Sequence, residues 1–220
     1  VRYTQVCEAT GTVRRDGEVV EVKAWTAIRD HSWGVRAGMG PATFHGGAAR
    51  DEDEIDHRRF RIWAPLATDR YTGFFNTHED EAGRPLDFEG ALFMADGTKV
   101  RLVAVRHKLD YAPGTKNVVG GAFSLLDSDG RWRDYRIKLA GTPADVQGLG
   151  YYGGWKDGGS AGVWRGLGPV IETDRYPSSH LGKTGLLSLP EAKRLGPTEF
   201  PCHLQGPDGE AGMVHFEQHI

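Results

Sequence analysis

Apolar and polar residues alternate along most of the chain, and Asp-Gly pairs punctuate the alternation. A period of two turns one face of a strand toward a core and the other toward solvent. Asp-Gly between two such runs favours a tight hairpin, because both residues tolerate positive φ. The pair occurs at 16–17, 96–97, 129–130, 157–158 and 208–209. The pattern predicts strands over Tyr3–Val13 and Val19–Asp30, over Leu86–Met94 and Lys99–Leu109, and over Val118–Leu126 and Trp132–Leu139, each couple joined at an Asp-Gly turn. Tyr71–His78 is expected to pair with Leu86–Met94 across the loop Glu79–Arg84, after an earlier strand carrying Trp63, and Gly212–His219 is the last strand. Helix is expected only at Pro190–Leu195, with residues 51–60 (DEDEIDHRRF) a loop or short helix. Residues 141–179, rich in Gly, Asp and Tyr, read as two irregular strands around a flexible loop. Hairpins in series with so little helix point to an all-β architecture: one curved sheet, a barrel or a sandwich.

The 220 residues are 39% hydrophobic and 26% charged, which supports a real core rather than wholesale disorder. They are expected to form a single β-rich domain. The chain starts at Val1 within a strand pattern, as a trimmed or processed chain or the later half of a longer two-part protein would. The net charge of −3, with both signs interspersed, excludes the concentrated basic face that nucleic acid requires. No apolar run is long enough for a membrane-spanning helix. Cys7 and Cys202 are too few for a disulfide framework, so a reduced, cytoplasmic setting is the simpler expectation.

The stretch RDHSWGVR, Arg29–Arg36, ends the second predicted strand and concentrates the candidate chemistry. Alternation places Val20, Val22, Ala24, Thr26, Ile28, Asp30 and Ser32 on one face. Glu21, Lys23, Trp25, Ala27, Arg29, His31 and Trp33 take the other. The first face is small and apolar until Asp30, so an interior lined by it would hold that carboxyl at its rim. Two outcomes stay open. Asp30 pairs with Arg29 or Arg36 while His31 and Trp33 serve packing, or a partly buried Asp30 shares a proton with His31. Burial raises a carboxyl pKa and a nearby cation opposes the rise, so residue identity alone does not decide.

The segment Trp25-x-x-x-Arg29-Asp30-His31-Ser32-Trp33-Gly34 resembles the Asp-His-x-x-Gly strand motif of the AttH-like, lipocalin-like group that includes carotenoid 1,2-hydratase. The likeness extends over the hairpin Tyr3–Gly34, and GEAGMVHFEQHI resembles the closing strand of such domains. It implies a lipocalin-like antiparallel barrel or paired curved sheets. Members usually carry two such halves, so this 220-residue chain departs from the pattern: either a half is missing, as an N-terminal half or a partner chain, or the halves are shortened. By that resemblance Asp30 and His31 are the proton-handling pair, and Trp33 is the aromatic facing a carbocation, for which an indole is well suited. Arg29 would hold a ligand carboxylate or act on Asp30.

Trp63, Tyr71, Phe74 and His78, followed by Phe88 and Phe93, read as hydrophobic core or as an aromatic-lined ligand cavity, and a small barrel uses inward positions for either. With Trp25, Arg29 and Trp33 they make up the expected substrate-binding set. No metal is expected. His45 and His57, and the run His78-Glu79-Asp80, lack spacings that fix two ligands on one ion. His215, Glu217 and His219 alternate on one strand face and fit either a zinc site or the solvent face of an edge strand. The glycine-rich loop lacks a phosphate-binding signature, and no Gly-x-Ser-x-Gly elbow is present.

The expected function is therefore a cofactor-independent hydro-lyase, cyclase or isomerase acting on a hydrophobic terpenoid, steroid or polyketide-like molecule. The alternative is a non-catalytic binder of a hydrophobic ligand. A sugar-binding sandwich would need exposed Trp155 and Trp164.

Overall fold

The computed structural model describes residues 2–33, 60–114, 117–145, 157, 164–172 and 198–219. The strands are β1 (Arg2–Arg15), β2 (Glu18–Ser32), β3 (Phe60–Thr68), β4 (Tyr71–Glu79), β5 (Pro85–Met94) and β6 (Lys99–Tyr111). They continue with β7 (Val118–Asp127), β8 (Trp132–Leu139), β9 (Ala144–Asp145), β10 (Thr198–Gln205) and β11 (Ala211–His219). No helix occurs among the described residues. Eight strands in the order β11-β3-β4-β5-β6-β7-β8-β10 form an antiparallel sheet, and pairing of β10 with β11 closes it into a barrel. The short β9 extends it beside β10. Strands β1 and β2 form a separate hairpin that packs against β3 and β4.

Four of the five Asp-Gly pairs sit in tight turns between paired strands. Asp16 and Gly17 both take positive φ (53° and 86°), which matches the twist of the flanking strands. The pair at 208–209 joins β10 to β11, and β10 is a strand the alternation did not predict. Gly158 of the remaining pair lies outside the described residues, as do Pro190–Leu195 and residues 51–59. Within 141–179 the described part contains one strand, β9.

An eight-stranded barrel is just wide enough for side chains to fill, and the described residues pack large side chains into this one. Phe75, Phe123, Tyr135, Phe200 and Phe216 are fully buried at its centre. Phe123 stacks on Tyr135 at 4.9 Å between ring centroids, and the Tyr71 and Tyr135 hydroxyls meet at 3.0 Å. Burial raises the pKa of both phenols. Cys202 is buried in this core and Cys7 is exposed on the hairpin, both as free thiols.

One departure from regular alternation matters for the site. In β2, Ala24 has φ of 54°, and the β1–β2 register shifts between Ala9 and Gly11. This β-bulge breaks the period of two, so the expected continuous face from Val20 to Ser32 does not exist. Only its far end, Thr26, Ile28 and Asp30, turns toward the barrel wall.

Candidate active site between hairpin and barrel wall

The outer surface of β10, β11, β3 and β4 builds a chemically mixed wall. Cross-strand partners share a sheet face, and the register runs Glu199↔Glu217, Glu217↔Trp63 and Trp63↔Asn76. Two carboxyls, an indole and an amide thus stand in one row across four strands. One step along, Pro201 on β10 pairs with His215 on β11. On its other side His215 faces Pro65. Val214↔Leu66 and Glu217↔Trp63 bracket that position, and the ladder between them is interrupted. Proline has no N–H to donate, which explains the gap and leaves the imidazole between two apolar rings.

The hairpin overhangs this wall, and a half-open cleft of about 460 Å³ lies between them, lined by Thr26, Ile28 and Asp30 from β2 and by Glu199, His215 and Glu217 from the barrel. Apolar residues such as Val6, Pro65 and Met213 complete it. A second groove of about 820 Å³ runs along the other flank of Trp63, past Phe74, His78, Phe88 and Phe93. Arg2 borders both. Its guanidinium donates to both Asp30 oxygens at 2.7 Å and stacks over Trp63 at 5.0 Å, while Thr4 Oγ1 donates to Asp30 Oδ1 at 3.1 Å. Arg2 therefore ties hairpin to wall. Arg2→Ala is expected to loosen the hairpin by about 1 kcal/mol, read as faster amide hydrogen exchange across β1 and β2 with the barrel amides unchanged. Equal exchange in both proteins would refute that role.

Electrostatics divide the wall carboxyls. Glu217 is fixed by Arg61, whose Nη1 donates to its Oε1 at 2.6 Å while Nε donates to Asn76 Oδ1 at 3.0 Å. Glu199 has no such cation among the described residues; its ion-pair contact is His215 Nε2 at 3.8 Å. Burial, with the Glu217 charge adding to it, raises the Glu199 carboxyl. Burial lowers His215 against the opposing pull of Glu217. Trp63 is 5% exposed, meets the His215 ring edge-on at 5.7 Å, and buries an indole N–H with no hydrogen-bond partner among the described residues.

The expected site residues are dispersed over three places. Asp30 lines the cavity, its side chain about a third exposed (34%), and Trp63 forms its wall. His31 lies on the opposite, exposed face of β2 between Tyr3 (5.6 Å) and Trp33 (5.3 Å), with Arg29 over the Tyr3 ring at 5.4 Å. Adjacent residues on a strand point to opposite faces, which separates the two members of the Asp-His couple. Trp25 and Trp33 are each about half exposed. Phe74 and His78 border the groove, where His78 Nδ1 meets Asp87 Oδ1 at 2.8 Å. Tyr71 belongs to the barrel core.

His215 and Glu217 do share a face, on a strand paired along both sides rather than an edge. Among the described residues no group of His, Cys, Asp or Glu forms a metal site, and the His219 side chain, His45, His57 and Trp155 lie outside them. Trp164 is exposed but borders neither cavity. No described helix is long and apolar enough to cross a membrane. Glu199 was missed because its strand was. Asp-Gly at 208–209, following the run TEFPCHLQ, is the signal that marks it.

Among solved structures the fold is similar to an AttH candidate from Nitrosomonas europaea (TM-score 0.52, 12% identity, 99% of this chain and 51% of that one). It is also similar to kievitone hydratase from Nectria haematococca (TM-score 0.51, 10% identity, 100% of this chain and 52% of that one). At these identities the likeness shows the fold alone, and the chain spans about half the length of each. No curated protein matches it in sequence. A family profile matches residues 1–189, and the chain accordingly belongs to DUF8625, a family of unknown function.

Proposed function

We propose that the chain contributes the active site of a cofactor-independent hydro-lyase, cyclase or isomerase that works on a hydrophobic small molecule by acid/base catalysis. One observation carries this reading: ionisable groups from two separate structural units, Asp30 from the hairpin and Glu199, His215 and Glu217 from the barrel, meet in one partly apolar cavity. A cavity that only had to hold a greasy ligand needs no such concentration of titratable groups. The AttH-like fold adds support, since one protein of that fold is named a hydratase. In this reading Asp30 delivers or removes a proton at the substrate. His31, Trp33 and Arg29 brace the end of β2 from its far face through their stacking on Tyr3. Trp63, its ring covered by the Arg2 guanidinium, walls the cavity and fixes the Arg2–Asp30 pair. Phe74 and His78 extend the binding surface along the groove, Trp25 marks where the bulge redirects β2, and Tyr71 supports the wall from within the core. The two free thiols suit a cytoplasmic setting.

A second reading, a non-catalytic binder of a hydrophobic ligand, is favoured by the Arg2 fork, which occupies both Asp30 oxygens. Native mass spectrometry and turnover assays over a library of terpenoids, steroids and polyketides separate the two when repeated on Asp30→Asn. The expected result is retained binding with turnover lowered at least ~100-fold, the scale of one acid/base group. Unchanged turnover removes Asp30 from the mechanism, and binding without turnover in the wild type selects the binder.

A further inference from the structure

We propose that Glu199 and His215 are the proton-transfer pair of this cavity, Glu199 giving a proton to the substrate and His215 taking one from the substrate or from an attacking water. The proposal rests on the acid/base reading above but moves its proton transfers from Asp30 to this pair, because hydration, dehydration and isomerisation each need a donor as well as an acceptor and the Arg2 fork already occupies both Asp30 oxygens.

The geometry separates Glu199 from the other carboxyls of the cavity. Asp30 is paired with the Arg2 guanidinium through both oxygens, and Glu217 with Arg61. Glu199 is partly buried beside the Glu217 charge, its direct cross-strand partner. It faces no lysine or arginine ion-pair partner among the described residues, and its contact with His215 is longer than a hydrogen bond. A carboxyl in that setting keeps its proton more readily than one in water. His215, between Pro65 and Pro201 and against the edge of Trp63, is in the setting that keeps an imidazole neutral.

These two preferences have to occur together. In water a carboxyl ionises about two pH units below an imidazole, so the combination of neutral acid and neutral base is rare at every pH. Burial draws the two titrations toward each other. The groups facing the pair are Glu217 on β11, Arg61 on β3, and Arg2 and Asp30 on the hairpin.

The proton balance closes within the site. Glu199 protonates a substrate double bond and becomes carboxylate. The resulting cation loses a proton, or is captured by water that loses one, to His215. Transfer across the 3.8 Å gap through one bridging water restores both neutral groups. The Arg2–Asp30 ion pair borders the cavity from the hairpin side.

The test has a reading that does not depend on turnover. Carboxyl carbon-13 and imidazole nitrogen-15 titrations of the full chain, assigned with Glu199→Gln and His215→Gln, are expected to show Glu199 ionising above the ordinary carboxylate range and His215 protonating below the ordinary imidazole range. With whichever library metabolite is turned over, Glu199→Gln is expected to lower kcat at least ~100-fold at unchanged affinity. His215→Gln is expected to abolish the acidic limb of the pH–rate profile. Ordinary titration of either group overturns the pair even where Asp30-dependent turnover is found, and then the acid/base reading stands without it. Shifted titrations with no turnover of any metabolite overturn both.

Discussion

Asp127→Ala is expected to lower the unfolding free energy by about 3 kcal/mol at neutral pH, because it leaves a partly buried guanidinium and two turn N–H groups without their acceptor. Asp127 ends β7 and is 2% exposed. Its Oδ1 accepts the Asp129 and Arg131 backbone N–H groups at 3.1 and 2.9 Å, which fixes the Asp129-Gly130 turn. Its Oδ2 accepts both Nε and Nη2 of Arg133 at 3.2 and 3.1 Å. Burial by itself would raise this carboxyl, but the Arg131 N–H, the Arg133 guanidinium and the Asp129 N–H together outweigh it and hold it below its ordinary value. A group whose folded pKa is depressed stabilises the fold fully above its unfolded value and loses that contribution as pH falls through the folded one. The deficit of the variant is therefore largest near neutrality and shrinks in acid. Denaturant unfolding from pH 7 down to about 3, run on both proteins, checks this; a deficit independent of pH would refute the ion-pair account.

Phe123→Ala is expected to cost a similar ~3–5 kcal/mol for a different reason. The ring is 1% exposed, lies 5.2 Å from Phe75 and 4.9 Å from Tyr135, and has no polar function to lose. Its removal leaves a void at the centre of a filled barrel. The candidate cavity lies outside that barrel, so the folded fraction of the variant is expected to bind library ligands with wild-type affinity. Urea unfolding gives the first quantity and native mass spectrometry the second. Loss of binding at full structural integrity would place the ligand inside the barrel and overturn the location of the site.

The hairpins were legible because their signals are local. Alternation and Asp-Gly turns sit within a few residues of the contacts they specify, and β1–β2, β5–β6 and β7–β8 appear where the pattern places them. Strand β3 was harder to read. Its burial runs through five consecutive residues, since Ile62, Ala64 and Leu66 face the core while Trp63 and Pro65 support the outer wall. Two covered faces erase the alternation, and a proline inside the run argues against a strand. Pro201 hides β10 in the same way.

The candidate site followed the same division. The sequence placed Asp30 at the end of a strand face and put His215 and Glu217 on one face of another, because period-two geometry requires nothing beyond neighbouring residues. It could not show that a bulge at Ala24 would cut the first face short, or that the barrel would fill its own interior. Nor could it bring β2, 165 positions or more before β10, onto the outer wall beside Glu199. All-β character, turn positions and strand faces are properties of short stretches, and the amino-acid order determines them directly. Which faces become interior, and which carboxyl loses its cation while its neighbour keeps one, depends on sheet closure and long-range packing. Only the tertiary structure decided those.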